Sequence, residues 1–144
     1  MLDKTIAAMI FKLAVSMSGY PEPPAGFPIP DVEFLAPAAL YEKACDRDKE
    51  EYDYCIAYFG HYGLIGLFDR WGLPRKVYLD KKFATGINKG EQYPVSVLLH
   101  EDVHALQLFW KHHNNPEITK EELKADEKEA YAIQRKFIGR NRTE

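Results

Sequence analysis

Near the N-terminus apolar residues return every three or four positions, so that Ile6, Ile10, Leu13 and Met17 share one side of a helix. The stretch "TIAAMIFKLAVSMSGY" therefore predicts an amphipathic helix over residues 1–18, packed on the body of the protein. Lys12 interrupts it and it is short, which argues against both a signal-peptide core and a bilayer span. The period then disappears. Residues 19–37, "GYPEPPAGFPIPDVEFLAP", hold six of the nine prolines. Proline fixes φ and lacks a donor, so this segment is an extended, semi-rigid connector and neither a helix nor a central strand. Residues 38–51 look helical. After them "YDYCIAYF", "YGLIGLF" and "RKVYLD" are aromatic and β-branched runs separated by Gly60, Gly72 and Pro74, and they predict a small antiparallel sheet of two or three strands.

The stretch 81–93, "KKFATGINKGEQY", reads as a polar loop punctuated by glycine. Pro94 suits the first turn of a helix, where its missing donor costs nothing, and that helix extends to about Lys111. Apolar residues from Val95 to Trp110 leave almost no sector of it polar, so it is buried on most sides. A last helix starts near Lys120, where Thr119 and Glu122 stand three apart in a capping box. Leu123, Ala130, Ile133 and Phe137 form its core face, and "GRNRTE" is a frayed polar tail. The fold class is α+β: a small antiparallel sheet packed on the Pro94 helix and the C-terminal helix, with an additional N-terminal helix. The 144 residues make one domain, comprising the helix 1–18, the connector 19–37 and a core over 38–138.

A content of 46% hydrophobic residues is enough for one proper core, and a net charge of −3 offers no basic field. Nucleic acid and membrane are thus excluded as partners in the first reading. Cys45 and Cys55 belong to no CxxC pair and read as two free thiols in a reducing compartment. The expected location is cytoplasmic, or the virion if the protein is of phage origin.

The chemistry lies in "LLHEDVHALQ", residues 98–107. His100 and His104 stand four apart, about 40° around a helix and one turn along it, so their imidazoles enter the same small volume. Two imidazoles and a carboxylate buried without partners would cost several kcal/mol, and a metal ion offsets that cost. The spacing is HExxH, in which two neutral nitrogens bind Zn²⁺ and the intervening acid, Glu101, acts as general base on a metal-activated water.

A catalytic zinc site takes three protein ligands and keeps one position open. The metzincin arrangement needs glycine and histidine where this chain has Gln107 and Trp110, and is excluded. His112 and His113 lie two turns past His104 or at the fraying helix end. On the last helix Glu127 and Asp126 flank the face of Ala130 on opposite sides, whereas Glu129 points some 100° away. Periodicity and reach favour Glu127, with Asp126 as runner-up.

"HEDVH", followed after 22 intervening residues by "EKEAY", resembles the gluzincin branch of the zincin metallopeptidases. Short members, including the minigluzincins, carry an ExxA signature on a helix after the motif helix. The resemblance implies His100, His104 and Glu127 as ligands of Zn²⁺ and Glu101 as catalytic base, with a peptide or protein as substrate. It also implies a strand upstream of the motif helix along which an extended peptide docks, for which "RKVYLD" is the candidate. Tyr131 stands where several of these families have an aspartate supporting a ligand histidine. Tyr131, His61 and Tyr93 are candidates for stabilising the oxyanion, Tyr131 foremost because it lies one turn from Glu127. The expected function is a zinc-dependent metallopeptidase. A non-catalytic zincin-like binding or structural protein, such as a phage particle component or a regulatory module, is the alternative.

Overall fold

The computed structural model describes residues 2–46 and 51–140; the stretch 47–50 of the expected helix 38–51 and the polar tail beyond residue 140 lie outside them. Helix α1 spans Lys4–Ser18. The Asp3 carboxylate accepts from the amides of Thr5 and Ile6 at its start, and Gly19, at φ +79°, ends it in the left-handed conformation that costs glycine nothing. Ile10, Phe11 and Ala14 are its buried residues, a stripe somewhat rotated from the expected one, and it packs across the central helix of the protein.

The connector is not wholly irregular, since Asp31–Leu35 form strand β1. Helices α2 (Pro37–Cys45) and α3 (Tyr52–Tyr62) come next and pack on each other. Strands β2 (Gly66–Asp69) and β3 (Lys76–Asp80) complete a sheet of order β1-β3-β2. β2 runs antiparallel to β3 but β1 runs parallel to it. The sheet is therefore mixed, which corrects the antiparallel expectation: α2 and α3 carry the chain from β1 to the far edge strand β2, and β3 then turns back between the two edges, antiparallel to β2 and so parallel to β1.

The first of the three aromatic runs was expected to be a strand and is the helix α3. Tyr52, Cys55, Ile56 and Phe59 are its half-buried positions. They stand at i, i+3, i+4 and i+7, the helical period, which the β propensity of tyrosine and isoleucine obscures. The α2–α3 hairpin also joins Cys45 to Cys55 in a disulfide, with Cα atoms 5.7 Å apart. The expected free thiols are thus a single bridge. Ten residues of separation look local along the chain, and only the antiparallel packing of two helices turns both side chains inward.

Residues 81–93 are more ordered than a loop. A 3₁₀ turn at Lys81–Phe83 leads into the short helix α4 (Ala84–Asn88), with Phe83 and Ile87 buried. Gly86 lets this segment close onto the next, for a Cβ there would lie 2.5 Å from Pro94 Cγ. Helix α5 (Gln92–Leu106) starts two residues before Pro94 and continues as a π-helical turn over Gln107–Lys111. Every residue from Val95 to Val103 is buried, because α1, α6 and β2 all pack against it. His113 and Asn114, both at positive φ, end the run.

Helix α6 covers Lys120–Arg140. The capping box is made in both directions: Glu122 Oε1 accepts from Thr119 N at 2.9 Å and Thr119 Oγ1 from Glu122 N at 3.1 Å. Ala130 is fully buried between α5 and α6, where only a small side chain lets two helix backbones approach. Leu123, expected in the core, is 38% exposed. No helix among the described residues is long and apolar enough to cross a membrane.

Candidate metal centre

His100 and His104 face α6 from successive turns of α5, and Glu127 meets them from the first half of α6. His100 Nε2 lies 3.2 Å from His104 Nε2 and 3.2 Å from Glu127 Oε1, and His104 Nε2 is hydrogen-bonded to the same Glu127 oxygen. The edge of a tetrahedron with metal–nitrogen distances of 2.0–2.1 Å is about 3.3 Å. The two edges that meet at His100 Nε2 are close to that length, and the third pair, His104 Nε2 and Glu127 Oε1, is in direct hydrogen-bond contact. The three residues form the one group among the described residues that could hold a metal ion.

The electrostatics follow from that convergence. Burial works against the Glu127 carboxylate, but the hydrogen bonds and charges of His100 and His104 outweigh it and hold the group well below the ordinary carboxylate range. Burial likewise disfavours a charged His104, yet its bond to Glu127 and the nearby charges of Glu101 and Glu127 raise it. Proton and divalent cation therefore compete for the same atoms.

Glu101 is 7% exposed. Burial pushes its carboxyl upward, opposed by His104 and His100 and by the backbone amide of Phe68, which donates to it. Strand β2 comes so close that a Cβ on Gly66 would sit 2.9 Å from Glu101 Oε2. The acid is thus clamped between strand and imidazoles. Tyr131 is 49% exposed and its ring lies 4.4 Å from that of His100. Burial, and then the negative charge of Glu127 and Glu101, raise its phenol, so it stays an O–H donor.

The other acids of α6 are employed elsewhere. Asp126, the runner-up ligand, is buried and accepts from Lys111 Nζ and His112 Nε2, both at 2.7 Å. Glu129 accepts from Tyr20 and Gln107. His112 is held by Asp126, and His113 is exposed at the helix end. Among the other oxyanion candidates, Tyr93 lines the cleft, whereas His61 is exposed on α3 and packs edge-on against Tyr62.

Gln107 escaped the sequence reading. Its Oε1 lies 2.7 Å from His104 Nδ1, and a glutamine one turn past a candidate ligand histidine was the available signal. His100 has no such support: its Nδ1 is buried with no hydrogen-bond partner. The site opens into a cleft of about 780 Å³ whose walls include Tyr58, Tyr62, Leu64, Tyr93 and Leu123.

No protein-family model matches this chain, and neither does any curated protein or solved structure.

Proposed function

We propose that the protein is a zinc-dependent metallopeptidase of the gluzincin type, with His100, His104 and Glu127 as metal ligands and Glu101 as general base. The observation that carries this reading is the convergence of three candidate ligand atoms, from His100, His104 and Glu127, next to a second, buried acid, Glu101, that is not one of them. Two imidazoles and a carboxylate are a donor set of catalytic zinc. When bound, a zinc ion acts as a Lewis acid and brings the pKa of a coordinated water to about 7.

The residues of the chain supply the rest. Glu101, held by the Phe68 amide and destabilised as an anion by burial, takes a proton at its carboxylate and returns it to the departing amine. The Tyr131 phenol donates to the developing oxyanion. β3 lies between β1 and β2 and offers no free edge, so "RKVYLD" is displaced as the docking strand. The edge strand β2 borders the cleft through Gly66, Leu67 and Phe68 and takes that role. The aromatic walls suit an extended peptide bearing large apolar side chains, which they desolvate without needing a charged partner.

One observation favours a second reading, a zinc-binding module without turnover: His100 Nδ1 has no acceptor to orient its ring, a support that ligand histidines usually have. A single set of measurements separates the two. The purified chain is expected to carry about one zinc, and Glu127→Ala to lose it far more readily than Glu129→Ala. Glu101→Gln is expected to keep the metal and lose cleavage of a peptide library by about 10²–10⁴-fold. Cleavage that survives Glu101→Gln refutes the peptidase assignment of the base, and a chain with zinc but no chelator-sensitive cleavage supports the binding module.

A further inference from the structure

The N-terminal segment reaches the metal centre through four side chains. The Tyr20 hydroxyl, just beyond the Gly19 turn that ends α1, donates to Glu129 Oε1 at 2.7 Å. The same oxygen accepts from Gln107 Nε2 at 2.9 Å, and that nitrogen also donates to the backbone carbonyl of Asp126 at 2.9 Å. Gln107 Oε1 then meets His104 Nδ1 at 2.7 Å.

The direction of every bond is determined. A carboxylate and a backbone carbonyl are both acceptors, so the amide group of Gln107 must turn its NH₂ toward them. Its oxygen is left for His104, and an oxygen there requires Nδ1 to carry the proton. His104 consequently presents Nε2 to Glu127 and His100, with Nδ1 occupied. Gln107 is 1% exposed, so water cannot substitute for either of its partners. It is also the first residue of the π-helical turn, whose wider winding lets its amide reach both α5 and α6.

We propose that Tyr20, Glu129 and Gln107 are positioning residues, a relay that holds His104 as an Nε2 metal ligand and makes the junction of α1 with the connector part of the metal site. The proposal rests on the reading of His100, His104 and Glu127 as metal ligands. It assigns to Glu129 a purpose its position off the metal face did not suggest, and to the connector a function besides covering the core. Burial and the Glu129 carboxylate push the Tyr20 phenol above its ordinary value, so it remains the donor at any working pH.

The test is zinc affinity by chelator competition on the full chain and on Gln107→Leu, Glu129→Ala, Glu129→Gln and Tyr20→Phe. Alongside it, thermal unfolding is followed without metal, and the exchange of the His104 Nδ1 proton is followed by NMR in the zinc-loaded protein. Loss of a group that orients a ligand histidine costs about 10- to 100-fold in metal affinity. Gln107→Leu is expected in that range, Glu129→Ala near its lower end, and Tyr20→Phe severalfold. Glu129→Gln, whose amide oxygen still accepts both bonds, is expected to restore affinity to within a few-fold of the unmutated chain. The Nδ1 proton exchanges slowly in the unmutated chain and fast in Gln107→Leu and Glu129→Ala. If those two bind zinc as the unmutated chain does, or weaken only as far as they unfold while the Nδ1 proton stays protected, the relay is overturned. An unmutated chain that takes up no zinc overturns instead the metal site itself.

Discussion

Replacing Gly66 by alanine tests whether strand β2 sets the position of Glu101, the proposed general base. A Cβ at that place falls 2.9 Å from Glu101 Oε2, 2.9 Å from Leu79 Cδ2 and 3.4 Å from Glu101 Cδ. Ordinary contacts between non-bonded carbon atoms lie at about 3.5–4.0 Å, so one side must yield by most of an ångström. Leu79 is fully buried in the central strand, so its contact opens only by a rotamer change or a shift of β2. The Glu101 carboxylate has to move as well, and with it goes the bond from the Phe68 amide. Overpacking of this size costs about 1–3 kcal/mol, which for a chain of this length lowers the unfolding midpoint by roughly 3–10 °C. A displacement of about 1 Å in a reacting group costs about 10²-fold in turnover. The assay combines a thermal melt, zinc affinity and kcat/KM on a peptide selected from a library digest. Turnover is expected to fall by two orders of magnitude with zinc affinity within a few-fold of normal, because the three ligands are untouched. Gly60→Ala is the control: nothing lies within 4 Å of its Cβ, and alanine in α3 is expected to add about 0.5–1 kcal/mol. A Gly66→Ala protein that melts lower but retains full turnover refutes the idea that β2 positions Glu101.

Asp102 is 2% exposed in α5, and burial followed by the charge of Glu101 raises its carboxyl well above the ordinary value. The unfolded chain then loses this proton near pH 4 while the folded chain keeps it, so stability falls as pH rises from there, by up to about 1.4 kcal/mol per pH unit until the folded group ionises. Asp102→Asn is expected to remove that slope and raise the melting temperature at pH 7; an unchanged pH profile in denaturant titrations counts against a neutral Asp102. Zinc affinity is expected to climb with pH up to the raised value of His104, since the metal must displace its proton, and to level off above it; a flat competition curve between pH 6 and 8 contradicts this. Reducing the Cys45–Cys55 bridge, which closes a loop of about ten residues, is expected to cost about 2–3 kcal/mol. Equal denaturation midpoints with and without reductant would show that α2 and α3 stay paired unaided.

Much of the candidate site was legible because it depends on local spacing. A step of four from His100 to His104 brings two imidazoles together on any α-helix, and the apolar face of Ala130, Ile133 and Phe137 sets the phase of α6, so that angular position distinguishes Glu127 from Glu129 before any contact is known. The same local rules place α1, the proline-rich connector and the buried helix α5. Where the structure departs from the reading, the deciding contacts are distant in sequence. The short aromatic run of α3 carries both a strand propensity and a helical period, and only its packing on α2 selects the helix. The parallel pairing of β1 with β3 joins residues some 45 positions apart, and no pattern within either strand encodes its neighbour. Cys45 and Cys55 are invisible as a pair until the hairpin closes.

The order of residues along the chain was thus sufficient for a donor set that could hold a metal ion and for the two helices that carry it. Helical periodicity is a property of neighbours within a few turns, and it survives any arrangement of the rest. Which strand presses on Glu101, which strands form the edges of the sheet and which glutamine meets His104 were decided by the tertiary structure alone. Each depends on segments approaching through space, as Gly66 does to Glu101 and Tyr20 to Glu129, and such approaches are set by the packing of whole elements and leave no period in the sequence.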